Sequence, residues 1–427
     1  MIIAAACTFA RPVSSDFMTS AEPRADGAFA ATVARSGAAQ ILLGFSLMLI
    51  AFNLRPLFSS LSVLLPDIVR QTNLSSAAAG YLTTLPVLCL GLFAPLAPRV
   101  SQWIGPERTL LAVMVLLAAG TGLRGVGGIV PLFIGSALAG AAIAAANVLL
   151  PSVVKRDFPK QSALMTGLYT MALCGGAAAA AATTLPLMRA VEGGWTTGLM
   201  MWAIPAAVVA AVWAPQALAR SSGGGVSRRR VRGLWGDALA WQVTFFMGLQ
   251  SALAYCVMGW LAPILRDRGL DGVDAGLVLS VSIMVQVATC LLVPPLAVRC
   301  RNQRAFSVIL ALIASVALIG LLFAPLSTVW AWALFQGIGQ GGLFAMAMTL
   351  IVLRSPDPHV AAHLSGMAQG IGYVLAAAGP LLVGVLHSLT GGYDVAGALF
   401  AALGLGVAVS GWGAGRAVLV KARSVSA

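Results

Sequence analysis

The sequence predicts an all-α polytopic membrane protein, twelve transmembrane helices in two pseudo-symmetric six-helix bundles. Three observations carry that expectation. Hydrophobic residues make up 59% of the 427-residue chain and charged residues only 9%, where soluble domains carry about 25% charged. The apolar residues fall into runs of about 20, the length that crosses a bilayer as a helix. A basic stretch, "RSSGGGVSRRRVRG" from Arg220 to Gly233, divides the chain nearly in two.

Taken in order, residues 1–38 hold Ala, Ser, Arg, Pro and Gly without periodicity and read as a disordered cytoplasmic tail, with Met18 as an alternative start. Polar or turn-rich breaks then delimit spans at 39–66, 76–97, 109–126, 129–154, 162–188 and 195–214, which form the first bundle, 39–214. Residues 215–236 form the basic cytoplasmic linker. The second bundle, 237–416, takes spans at 237–264, 274–297, 305–324, 329–353, 363–388 and 393–416, and 417–427 is a cytoplasmic C-terminal tail. Trp195 and Trp330, near span ends, suit the membrane interface.

The loop charges test this count. With the N-terminus inside, the tails and even-numbered connections hold 20 of the 26 Lys and Arg residues, the opposite side holds 5, and Arg55 lies within a span. Cytoplasmic loops are expected to carry that excess. The net charge of +13 is therefore read as membrane orientation and not as a nucleic-acid surface. None of the six cysteines forms a CxxC pair, so neither a disulfide framework nor a zinc site is indicated. A shift of 199 residues lays Gly140, Pro159 and Gly167 on Gly339, Pro358 and Gly366. A shift of 197 lays Asn53 and Pro66 on Gln250 and Pro263. Such duplication is the parallel repeat of some secondary transporters.

No Walker, HExxH or supported GxSxG motif is present, and His359, His363 and His387 lack the carboxylates or cysteines of a metal site. The chain does not read as an enzyme, and no cofactor is implied. The costly feature is "AFNLRPLFSS", Ala51 to Ser60. An arginine at a helix centre costs about 2.5 to 3.5 kcal/mol on insertion scales. Arg55, Ser59 and Ser62 share one helix face, and Pro56 frees the carbonyl of Phe52 and biases Arg55 away from helical geometry. Unpaired backbone at this depth belongs where it lines a cavity. Arg55 is thus a candidate binder of an anion or a strongly dipolar solute, or else a structural partner of interior carbonyls. Fainter polar interruptions are Asn147, Thr166, Tyr169, Thr170, Gln250, Tyr255, Gln286, Gln336, Gln340, Gln369 and Tyr373, each equally readable as glue between helices. No Asp or Glu lies well inside a span, so no carboxylate relay is evident. Transport is expected to be facilitated, or coupled to a proton that moves with the anion.

Twelve spans, a basic central linker and a duplicated half resemble the major facilitator superfamily. Its loop between spans 2 and 3 is degenerate here, with Pro98 in "PLAPRVSQWIGPERTL" where the general pattern has an aspartate. "FNLRP" and "NVLLPSVVKRDFP…LMTGLYT" are similar to the cyanate/2-nitroimidazole branch across residues 40 to 416. Carried over by position, that resemblance implies a site of Asn53, Arg55, Asn147 and Tyr169, with Gln250, Gln336 and Gln340 from the cavity-lining spans. Gln369 joins the candidates from the polar pattern, and Pro56 is the conformational residue. The expectation is a monomeric inner-membrane transporter, both termini cytoplasmic, moving a small anionic or polar solute such as cyanate by alternating access. Efflux of nitroimidazole-like compounds is the alternative; a membrane sensor would need a signalling segment outside the spans. Its partners are the solute, membrane lipid and, in the coupled case, a proton.

Overall fold

The computed structural model describes residues 37–158, 161–219 and 229–426; residues 1–36 of the expected N-terminal tail and 220–228 of the linker lie outside them. The first bundle contains α1 (Gly37–Asn53), α2 (Pro56–Thr72), α3 (Ser76–Phe93), α4 (Leu96–Ile104), α5 (Pro106–Leu123), α6 (Ile129–Asp157), α7 (Ser162–Ala190), α8 (Trp195–Met200) and α9 (Ala203–Ala219). The second contains α10 (Ala238–Asp267), α11 (Gly272–Arg299), α12 (Arg304–Phe323), α13 (Val329–Leu353), α14 (Pro358–Thr390) and α15 (Asp394–Ala414). Among the described residues, twelve spans are long and apolar enough to cross a membrane, with α1 and α2 forming one of them and α8 and α9 another. These helices have weak amphipathic character because lipid tails on one side and neighbouring helices on the other are both apolar.

Small residues decide where the helices touch. A Cβ on Gly120 of α5 would lie 2.9 Å from the Gly135 carbonyl oxygen of α6, so these backbones meet directly. In the second bundle, Gly337 and Gly341 of α13 abut Ser282 and Gln286 of α11, while Gly339 abuts Ala314 of α12. Lipid gives no hydrophobic drive between helices, so close backbone approach and its dispersion contacts hold the bundle. The same device joins the two bundles, at Gly80 with Gly384 and at Gly276 against the Ala181 carbonyl.

The linker end of the molecule is closed in a way that composition does not foretell. Residues Arg229–Arg232 (β1) pair antiparallel with Arg423–Ser426 (β2), Val231 opposite Ser424 and Arg232 opposite Arg423. The tail reaches this position by crossing under the second bundle. Arg354 donates from Nε to the Ala414 carbonyl at 2.9 Å and also donates to the Gln303 side chain. Val420 N–H donates to the Arg354 carbonyl at 2.9 Å. Lys421 N–H donates to Asp237 Oδ2 at 2.7 Å, and the other oxygen of that carboxylate caps α10 through Leu239 and Ala240 N–H. Tail, linker and helix ends thus form one strap. A cavity of about 400 Å³ lies beside it, lined by Gly91, Val231, Trp235, His363 and Gly370.

A candidate solute site at the break in the first span

Pro56 sets the local geometry. It has no N–H, so the ladder cannot continue through it, and α1 stops at Asn53 while α2 begins with Pro56 at its first position. Leu54 N–H still reaches the Ala51 carbonyl at 3.1 Å, and Phe58 N–H reaches the Arg55 carbonyl at 3.1 Å. Arg55 has φ −107° and ψ −23°, closer to helical than the preceding-proline effect favours. The bond accepted from Phe58 closes a turn there, so the break is a tight kink and not an extended stretch. The freed Phe52 carbonyl meets α7 at Gly176, where a Cβ would fall 1.8 Å from that oxygen.

The kink aims Arg55 toward the second bundle. Its Nη1 lies 3.7 Å from Met258 Sδ, a weak acceptor, and its Cζ lies 5.9 Å from the centre of the Tyr255 ring. Phe58 and Tyr373 flank that ring, with centroids 5.3 Å and 6.2 Å away. Tyr373, Cys174 and Cys290 lie within electrostatic reach of the guanidinium, as Tyr169 does of Tyr373. No ion pair joins Arg55 to a carboxylate among the described residues. A cation–π contact gives back about 0.5 to 2 kcal/mol, less than the cost of an arginine at this depth. The site therefore keeps a residual demand for negative charge.

Other candidate residues have more ordinary surroundings. The Asn53 amide is buried and donates to the Leu49 carbonyl of its own helix at 2.9 Å. Gln250 and Gln340 are buried and joined to each other, Gln340 Nε2 donating to the Gln250 backbone carbonyl at 3.1 Å and to its Oε1 at 3.2 Å. Gln336 is fully buried with no hydrogen-bond partner for its amide among the described residues. Gln369 donates to Ser365 at 2.8 Å on its own helix, and Asn147 and Tyr169 are half-buried. The structure brings Arg55 together with Phe58, Tyr255, Met258 and Tyr373, and it gives Gln250 and Gln340 to one another. Tyr255 and Tyr373 are visible in the sequence as polar interruptions; Met258 and Gly176 give no signal of their own.

At the end opposite the linker, polar contacts join the bundles. Arg266 of α10 donates to Asp67 of α2 at 2.9 Å and to the Val63 carbonyl at 3.2 Å. His387 Nδ1 lies 2.8 Å from Ser76 Oγ, and Arg189 approaches Asp271 at 3.5 Å. The Arg189–Asp271 pair is exposed and contributes little. The Asp67–Arg266 pair is largely buried, its side chains 11% and 22% exposed; Asp67 also pairs with Arg70 at 3.1 Å, so it is the loss of the carboxylate that strands Arg266. Asp67→Asn and Arg266→Gln are each expected to lower solute counterflow about tenfold or more, with partial recovery in the charge-exchanged double variant. A double variant no better than the single ones would show that the two residues act separately.

The family model described as the Major Facilitator Superfamily matches residues 41–380. A 2-nitroimidazole transporter of Escherichia coli (strain K12) is 38% identical over 387 residues, 89% of this chain and 97% of that protein. An uncharacterised transporter of Bacillus subtilis (strain 168) is 38% identical over 371 residues, 87% of this chain and 92% of that one. A cyanate transport protein of E. coli K12 is 30% identical over 349 residues, 81% of this chain and 90% of that protein. Among solved structures, a bacterial homologue of the human lysosomal transporter Spinster, inward-facing and occupied, aligns with a TM-score of 0.65 at 16% identity, covering 88% of this chain and 93% of that one. A D-xylose–proton symporter aligns with a TM-score of 0.67 at 15% identity, covering 90% and 98%. At those identities the structural likeness concerns the fold alone.

Proposed function

Because the chain belongs to the major facilitator superfamily, and is thus an integral membrane transporter of small molecules and not an enzyme, we propose that its solute is a small anion or anion-like polar molecule held by Arg55. One observation carries this reading: a guanidinium at a helix break, turned toward the opposite bundle, with no carboxylate paired to it among the described residues. The solute charge would supply the missing counter-ion, and the planar five-donor group suits a bidentate acceptor. A cyanate-sized anion meets this requirement.

A heteroaromatic solute such as a nitroimidazole is the second reading. Phe58, Tyr255 and Tyr373 around the guanidinium favour it, since ring edges and faces accept a flat conjugated molecule. Alternating access between the two bundles is part of this reading. The Asp67–Arg266 and Ser76–His387 contacts join the bundles at the end away from the linker and support it. The excess of Lys and Arg in the tails and even-numbered connections supports a cytoplasmic linker and termini, in a bacterial inner membrane. Counterflow in proteoliposomes loaded with cyanate, other small anions or nitroimidazoles tests both readings. Exchange of an anion supports the first and exchange of uncharged nitroimidazoles alone supports the second. If no panel member exchanges, both fall.

A further inference from the structure

Arg124 is counted from sequence among the loop charges, yet its side chain is 0% exposed, and Nε, Nη1 and Nη2 all lack a hydrogen-bond partner among the described residues. It follows α5, with its own N–H bonded to the Gly120 carbonyl at 3.3 Å. Its side chain runs past Gly135 of α6, where a Cβ would fall 2.9 Å from Arg124 Cγ; the missing side chain there leaves the lane open. The adjoining Gly125 packs against Met200 and the Thr196 carbonyl of α8, which shields the same corner of the first bundle.

A guanidinium stays protonated in proteins, so the buried group remains a cation. No ion pair joins it to Asp or Glu among the described residues. Water can satisfy five N–H donors but cannot neutralise the charge. Arg55 differs in having ring faces and a thioether beside it, and it lies at the junction of the bundles.

We infer that Arg124 forms a second anion site inside the first bundle, away from the Arg55 site, for a small monovalent anion such as a halide. Complete enclosure excludes a large or multivalent ligand. The anion neutralises the guanidinium and thereby stabilises the α5–α6 crossing; it is a resident ion and not the transported solute.

The test uses purified full-length protein in detergent, with potassium gluconate replaced by potassium bromide at constant ionic strength. Ligand linkage predicts a rise of a few degrees in melting temperature, growing with the logarithm of bromide concentration, for the parent and for Arg55→Gln. Arg124→Met should show no rise, and Arg124→Lys a smaller one at higher bromide. A parent indifferent to bromide, or an Arg124→Met protein responding like the parent, overturns the inference and leaves water as the occupant. If Arg124→Met does not fold, anomalous scattering from bromide in crystals of the parent decides. A peak beside Arg124 supports the site, and its absence at saturating bromide removes it.

Discussion

Arg55→Gln should lower solute counterflow about 100-fold or more, since one charge-assisted bidentate contact is worth about 3 kcal/mol, while the melting temperature rises. The two changes have a common origin. Without solute the guanidinium is a buried charge with weak partners, Met258 at 3.7 Å and the Tyr255 ring at 5.9 Å, and a shorter neutral amide removes that cost. Arg55→Lys keeps the charge but loses the planar fork, and about a tenfold loss is expected. A purely structural arginine predicts the reverse, a fall in melting temperature with transport reduced only in proportion to folded protein. Thermal melting and counterflow on the same preparations separate the two cases.

Gly176→Val should be the most damaging substitution of a single small residue. Any side chain at this position meets the Phe52 carbonyl, 1.8 Å from oxygen and 2.8 Å from carbon, and neither backbone can step aside without moving α1 or α7. The penalty should reach about 3 kcal/mol, the upper end of ordinary overpacking. The expected result is little monodisperse protein on size-exclusion chromatography. Gly175→Ala is the matched control, because a Cβ at Gly175 meets nothing within 4 Å, and it should behave as the parent does. Equal yields for Gly176→Val and Gly175→Ala would mean that the carbonyl is satisfied elsewhere.

The sequence carries the spans and the kink because both follow from local chemistry. A run of about 20 apolar residues is its own evidence, and a proline lacks its N–H in any context. What Arg55 touches is another matter. Met258 and Tyr255 lie 200 or more residues along the chain, and nothing in "NLRP" names them. Gln250 and Gln340 show the limit most clearly. Their chemistry is legible in sequence as possible solute contacts, but it is equally suited to the mutual hydrogen bonds found here. Arg124 is legible only as a loop cation, because a cation at the very end of a span ordinarily reaches water. It required the bare backbone at Gly135, on the following helix, to turn it inward. The two four-residue strands of the strap are too short to display a period, and the basic composition of β1 points to solvent.

The pairing of β1 with β2 also fixes an order of events during synthesis. The chain emerges from its N-terminus, so Arg229–Arg232 leaves the ribosome before any of α10 to α15 and has no strand to join until Arg423–Ser426 follows. Throughout insertion of the second bundle the strand next to α10 has no partner, and six helices find their places before it is held. The seam forms only after the twelfth span has been made, so it fastens helices that are already in place.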